Sequence, residues 1–276
     1  MMQEVADHYS HGTLEETILQ ALDQSGKNIK KLQPDDLSAI DEFHLRGRIA
    51  TTELAEEISL TPGTKVLDLG CGIGGASRYL ASQFGCNVQG IDLTEEYCSV
   101  ARSLTALTHL EKQVSYFHGD ALDLPFEDNS FDVVWTQHVS MNINDKGQML
   151  KEAYRVLKPG GYLALYDILS NAEKELHYPV PWAMSSAQSF LVSGGKLHTL
   201  LEHSGFRVCS WKDCSSQSLK WFEGVLSRIQ EAGRPQLGYH LLLGDRFSEM
   251  AANQLKNLKE NRIMVVQTVA LRPSSA

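Results

Sequence analysis

An α/β fold, with a seven-stranded, mostly parallel sheet and helices on both faces, is what the sequence predicts, and three observations predict it. From residue 64 onward, short apolar runs alternate with helical patterns, the signature of βαβ units. A glycine-rich turn at residues 70–75 directly follows one such run and directly precedes a helix. Further on, Lys158-Pro159-Gly160-Gly161 ends a helical stretch and turns the chain into another strand. At 276 residues, 42% hydrophobic and 21% charged, the chain is long enough to bury a substantial core, which excludes disordered and collagen-like classes.

Taken in order, Leu14, Ile18, Leu19 and Leu22 make an amphipathic stripe, with Thr13 as its expected N-cap. After Pro34, residues 35–58 read as helical, carry apolar anchors from Leu37 to Ile58, and are interrupted near Gly47. Residues 1–61 are therefore expected to form a helical segment covering a site on a core domain of residues 62–276. Strands are expected at 65–69, 87–92, 114–118, 131–136, 162–167, 206–211 and 263–271. Between the first five lie helices carrying Tyr79-Leu80, Val100–Leu107 and Met149–Leu157. Two stretches break the alternation: about 170–195, rich in Pro, Trp and Ser, and about 216–260, mostly helical in pattern. Insertions of this kind are expected to form a helical cap over one edge of the sheet.

The balance of 25 Lys+Arg against 34 Asp+Glu gives a net charge of −9. Such a chain repels polyanions on average, which argues against a nucleic-acid partner. Five cysteines without a C-x-x-C pair or a His cluster argue against a disulfide scaffold and a structural metal. No run of eighteen apolar residues offers a membrane span, and the acidic first thirty residues do not read as a signal peptide, so the expected setting is cytoplasmic. Monomer and homodimer both stay open.

The chemistry begins at Asp68-Leu69-Gly70-Cys71-Gly72-Ile73-Gly74-Gly75. Glycines let the backbone turn tightly and approach a ligand, while the following helix presents unpaired N–H groups. In a dinucleotide site that loop would receive a pyrophosphate, and the G-x-G-x-x-G spacing of Gly70, Gly72 and Gly75 permits it. Asp68 argues otherwise: a carboxylate before the glycines repels a pyrophosphate and suits an ammonium group, so an amino-acid-bearing nucleoside is the better fit. Asp92 ends the second strand, where an acid accepts ribose hydroxyls. Asp120 follows the third strand, where a carboxylate can accept from an adenine amino group. Any one of these acids alone reads equally well as a solvated loop residue or helix cap; three at successive strand ends form one constellation.

Across residues 62–169 the sequence resembles the class I S-adenosylmethionine-dependent methyltransferases, in VLDLGCGIGG, GIDL, GDALDLPFEDNSFDVVW and RVLKPGGYLALYD. The resemblance implies a Rossmann-like sheet with an antiparallel last strand, and S-adenosylmethionine as cofactor with S-adenosylhomocysteine as product. It places Asp68, Gly70, Gly72 and Gly74 around the methionine end, Asp92 and Leu93 at the ribose, and Asp120 and Ala121 at adenine, with Gln137 and His138 beside the cofactor. Flanking DEFHLRG, WTQHVSMNINDK and YPVPWA are similar to the sarcosine/dimethylglycine N-methyltransferase group and, more distantly, to phosphobase and quinone methyltransferases.

A sulfonium already activates its methyl group, so the protein's main task is to align a nucleophile, a contribution of roughly 7–11 kcal/mol. His138 is the expected base because its ordinary pKa lies near working pH. Tyr9 is expected to cover the site as a second catalytic residue, His44 and Arg46 to reach the cofactor carboxylate or a substrate anion, and Asn142, Tyr178 and Trp182 to meet the acceptor. Phosphobase enzymes carry a catalytic histidine where this chain has Asn142, which weakens a phosphoethanolamine reading. The cap aromatics Tyr178, Trp182, Phe190, Trp221 and Phe222 suit either a cationic methylamine or a flat ring. The first expectation is therefore methylation of a small-molecule amine of the glycine, sarcosine or dimethylglycine type; O- or C-methylation of a quinol, phenol or other natural product is the alternative. Two other classes are weighed: a nicotinamide-dependent oxidoreductase, opposed by Asp68 and Asp120, and a non-catalytic S-adenosylmethionine-binding protein. Nucleic-acid methylation is further opposed by the lack of an N/D/S-P-P-Y/F motif.

Overall fold

A computed structural model describes Tyr9, residues 12–171 and residues 174–274. Strands β1 (Lys65–Leu69), β2 (Asn87–Asp92), β3 (Val114–His118), β4 (Phe131–Gln137), β5 (Leu157–Ser170), β6 (Arg207–Asp213) and β7 (Ile263–Leu271) make one sheet, ordered β3-β2-β1-β4-β5-β7-β6. The first five pair in parallel. Strand β7 runs antiparallel to both β5 and β6, as the resemblance implied.

Alternation along the strands divides the core between the two faces. Leu67 and Leu69 of β1 join Val266 and Ala270 of β7 on one face, under α6 (Lys146–Val156) and α7 (Gly194–His203). Val66, Val265 and Val269 face the other way, toward α3 (Arg48–Ala55), α4 (Gly75–Phe84) and α10 (Phe247–Lys259). Outside the sheet, α1 (Leu14–Gln24) and α2 (Pro34–Asp41) bury Ile18, Leu22, Leu37 and Ile40 against Val100 and Leu104 of α5 (Glu95–Leu107). Leu242 of the short α9 (His240–Leu243) completes that cluster.

Local details depart from the sequence reading. Thr13 makes no side-chain cap bond; the Leu14 N–H donates instead to Glu96 Oε1 at 3.1 Å, so a neighbouring helix does the capping. The helix expected through Leu157 ends at Val156, and residues 158–161 belong to β5 rather than to a turn before it. Register passes from Phe131↔Leu157 to Val133↔Tyr162, so Lys158–Gly161 bulges opposite Asp132, tied to the chain end by Gly160 N–H donating to Arg272 O at 2.8 Å. The second insertion is helical, with α8 (Ser215–Ala232), α9 and α10, whereas the first holds only a 3₁₀ turn at Ser186–Gln188. Pro179 and Pro181 in that first insertion remove two backbone donors and disfavour helical geometry in the residues before them.

Candidate active site

A cavity of about 1560 Å³, its open mouth included, lies at the carboxyl ends of β1, β2 and β4. Strand β1 has β2 on one side and β4 on the other, so the direction of winding reverses here, the usual ligand crevice of an open α/β sheet.

One end is built by strand ends and their loops. Asp68, 3% exposed, sits in register with Gly90 and Trp135 and accepts a 2.6 Å bond from Ser77 Oγ. Burial, partly offset by Ser77 and reinforced by the charges of Glu42 and Asp92, pushes its carboxyl up to about 7. Asp92 accepts from the Gly72 N–H at 2.8 Å and the Thr94 N–H at 2.9 Å. Burial raises this carboxyl too, despite those backbone donors. Asp120 accepts from the Leu122 N–H at 2.9 Å, which holds it beside Ala121 and Leu93 on the same wall. A methyl group at Gly70 would stand 2.3 Å from Val139 Cγ2, so glycine is what lets the loop close against the end of β4.

Polar groups also gather beyond β4. His138 has φ 55°, donates its backbone N–H to Tyr166 O at 2.8 Å and stacks its ring on Tyr166 at 5.4 Å between centroids. Burial, with the His44 ring beside it, holds the imidazole well below its ordinary pKa, and Nε2 has no partner. Gln137 accepts from Trp135 Nε1 at 2.9 Å and Thr51 Oγ1 at 3.2 Å, leaving its Nε2 unpaired. His44 Nε2 bonds Glu42 Oε2 at 2.9 Å, and its Nδ1 lies 3.3 Å from Leu45 O. Glu42 is 1% exposed; burial raises its pKa, but the His44, Arg48 and Thr51 groups around it outweigh burial and bring it down to about 2.

The opposite end is apolar and comes from distant parts of the chain. Phe43, Met141, Pro181, Trp182, Trp221, Phe222, Tyr239 and Phe247 all line it. Tyr239 donates its hydroxyl to Glu42 O, with His44 O at 3.3 Å, fastening the second insertion to the loop before α3. Asn142 donates to Trp182 O at 2.7 Å and accepts from the Tyr9 hydroxyl at 3.1 Å, joining the β4 loop, the first insertion and the N-terminal segment.

Most residues singled out from the sequence meet around this cavity: Tyr9, His44, Asp68, Gly70, Gly72, Asp92, Leu93, Asp120, Ala121, Gln137, His138, Asn142 and Trp182. Arg46, Gly74, Tyr178 and the cap aromatic Phe190 do not line it. The Arg46 guanidinium pairs with Glu53 at 2.8 Å, because its positive φ turns the chain away before α3. Tyr178 borders a separate depression with Ser189 and Arg262. Gly74 packs under Tyr116, where a methyl group would come within 2.2 Å of the hydroxyl. Glu42, Tyr97 and Tyr239 were missed. Of these, Glu42 left a trace, a carboxylate next to a break between two apolar helical stretches. Among the described residues no group of three or more His, Cys, Asp or Glu is placed to hold a metal ion, and no helix is long and apolar enough to cross a membrane.

Comparison with known proteins agrees with this geometry. A methyltransferase-domain family matches residues 67–165. The O-methyltransferase resE of Aspergillus sclerotiorum is 30% identical over 184 residues, 65% of this chain and 68% of that protein. A glycine/sarcosine/dimethylglycine N-methyltransferase of Actinopolyspora halophila is 38% identical over 204 residues, 74% of this chain but 36% of its own length. Among solved structures, a Haemonchus contortus phosphoethanolamine N-methyltransferase 2 in complex with S-adenosyl-L-methionine superposes with a TM-score of 0.76. It covers 98% of this chain and 60% of that one at 19% identity, a likeness of fold. The chain spans about half the length, or less, of the first curated relatives it matches.

Proposed function

Since the chain belongs to the class I S-adenosylmethionine-dependent methyltransferases, we propose that it transfers a methyl group from S-adenosylmethionine to a small-molecule acceptor held at the apolar end of the cavity. The observation that carries this reading is the two-ended cavity itself, with acids on three strand ends at one side and aromatic side chains at the other.

The residues present fit the cofactor. Asp68 is a buried carboxylate with no cation among its hydrogen-bond partners, and an ammonium group would relieve its raised pKa. Around Gly72 the space where a side chain would stand is open, so backbone and ligand can meet. In this reading Asp68 binds the amino group, Asp92 the ribose hydroxyls, and Asp120, Ala121 and Leu93 bound the adenine. Bound there, the sulfonium supplies an electrophilic methyl: the acceptor atom bonds to carbon while the C–S electron pair stays on sulfur.

What remains for the protein is alignment, dryness and one proton. Tyr9, residues 41–45 and the two insertions cover the acceptor end and exclude water, which strengthens every polar contact inside. His138 takes the acceptor's proton on Nε2, a role supported by that atom's lack of any other partner. Its lowered pKa keeps the ring neutral, and so able to accept, at physiological pH.

The test is release of S-adenosylhomocysteine across glycine, sarcosine, dimethylglycine, phosphoethanolamine, phenols and quinols. Turnover on one class is the expected outcome. Cofactor binding by calorimetry with no turnover on any of them would replace this reading with that of a non-catalytic binder.

A further inference from the structure

The charge of the chamber wall narrows the acceptor, given the methyl-transfer reading above. Among the described residues lining the cavity there is neither Lys nor Arg. The guanidiniums behind the wall are committed: Arg78 to Asp41 at 2.7 Å, Arg46 to Glu53 at 2.8 Å, and Arg48 to Glu42 and Asp35. A carboxylate or phosphate entering this chamber would leave water without meeting a cation, a desolvation cost that no contact offsets. Asp41 and Glu42 on the same wall add repulsion.

The carboxylates on this wall already have cations: Asp41 pairs through Oδ2 with Arg78, though its Oδ1 has no partner. Both oxygens of Glu42 are engaged, Oε1 by Arg48 and Oε2 by Thr51 at 2.5 Å and His44 at 2.9 Å. The wall's buried unmatched polar atoms are Asp41 Oδ1, the Tyr97 hydroxyl, His138 Nε2 and Gln137 Nε2, and the last two, on adjacent residues, are an acceptor and a donor. These two belong to one corner. Thr51 Oγ1 lies 3.1 Å from His44 Nε2 and 3.2 Å from Gln137 Oε1, and the His44 ring centre is 5.9 Å from that of His138. A hydroxyl carries what both lack, a proton for the imidazole nitrogen and an oxygen that can accept from the amide. The lining also includes Trp221, Phe222, Leu243 and Phe247, whose side chains are largely apolar.

We propose that the acceptor is an uncharged, largely apolar molecule that presents a hydroxyl to the corner of Gln137 and His138, and that the chamber rejects acceptors bearing a carboxylate or a phosphate. The glycine-type amines expected from the sequence all carry a carboxylate and are rejected on this ground. Specificity then rests on the same rule that makes a site built for a hydroxyl discriminate against analogues lacking one.

The experiment titrates 4-octylphenol, 4-octylbenzoate, 4-octylphenyl phosphate, 4-octylbenzyltrimethylammonium and 4-octyltoluene into protein saturated with S-adenosylhomocysteine. Quenching of tryptophan fluorescence reads the binding, since Trp182 and Trp221 stand on the wall. The phenol should bind at least about tenfold more tightly than either anion, the cation or the toluene. A double variant, Gln137→Leu with His138→Phe, should lose the preference for phenol over toluene while still unfolding cooperatively. Equal or tighter binding of an anion or the cation, a phenol no tighter than the toluene, or no binding by any probe would each overturn the proposal. Failure of S-adenosylhomocysteine itself to bind would overturn the cofactor reading instead; the same ranking, measured on the unliganded protein, then judges the chamber alone.

Discussion

The two ends of the cavity are assembled in opposite ways. At the cofactor end, Asp68, Asp92 and Asp120 each stand at or just past a strand terminus, and the parallel register of β1, β2 and β3 brings those termini side by side. Two of the acids are aimed by their own loops, Asp92 by the Thr94 N–H and Asp120 by the Leu122 N–H, and Asp68 is held by Ser77 nine residues on. At the acceptor end the wall joins residue 43 to 239, 142 to 182, and 51 to 137, contacts between segments far apart in the chain. Local geometry therefore fixes the first end, and packing of insertions fixes the second. The first can hold one ligand type across many chains, while the second changes with every substitution in the cap.

Three outcomes would break or sharpen that contrast, the largest first. Asp92→Ala should weaken S-adenosylmethionine binding by about a hundredfold, because it removes a charged acceptor for two hydroxyls. The octylphenol affinity of the same variant should stay within about threefold, and a parallel loss at both ends, seen by calorimetry, would show that they are not separate.

The next effect is a pH dependence confined to the cofactor end. With Asp68 raised to about 7, the empty site holds a proton below that pH, yet pairing with an ammonium needs the carboxylate. Binding then releases a proton, so affinity should fall by about tenfold from pH 8 to pH 6 and level off above pH 8. Asp68→Asn should flatten the slope. The same shift has the opposite sign for the ligand-free fold. Between about pH 4 and 7 the folded chain keeps a proton that the unfolded chain has released, so Asp68 makes stability decline as pH rises through that window.

The smallest effect belongs to the acceptor end. Tyr239→Phe removes the hydroxyl that fastens the second insertion to the carbonyls of Glu42 and His44. Stability to denaturant should drop by about 1 kcal/mol, with the loss concentrated in opening of residues 215–259 by hydrogen exchange. Cofactor affinity should be unchanged.

How much of this was legible follows the same division. The strand at 263–271 was read to the residue, and those at 65–69, 87–92 and 114–118 likewise, since apolar runs bounded by polar turns carry their own limits. The β5 strand was read short because Pro159 and two glycines look like a turn; they form a bulge, with Gly160 at φ 84°, that pairing with Arg272 holds in the sheet. Arg46 and Tyr178 were grouped with the site by type and neighbourhood in sequence. A positive φ at one and a separate depression around the other took them elsewhere. Glu42 was passed over because an acid between helices reads as a solvated cap, and its burial depends on Arg48, Thr51 and His44 closing over it.

By itself the sequence determined the sheet, the glycine turn and the three strand-end acids, because a strand, its terminus and the next turn are specified by residues adjacent in the chain. Tertiary structure alone decided which side chains face the cavity, which carboxylate each nearby guanidinium pairs with, and which buried polar atoms are left unmatched. Those properties arise from contacts between different elements, such as residue 51 with 137 and 142 with 182, and a residue's burial and partners are set by what packs onto it.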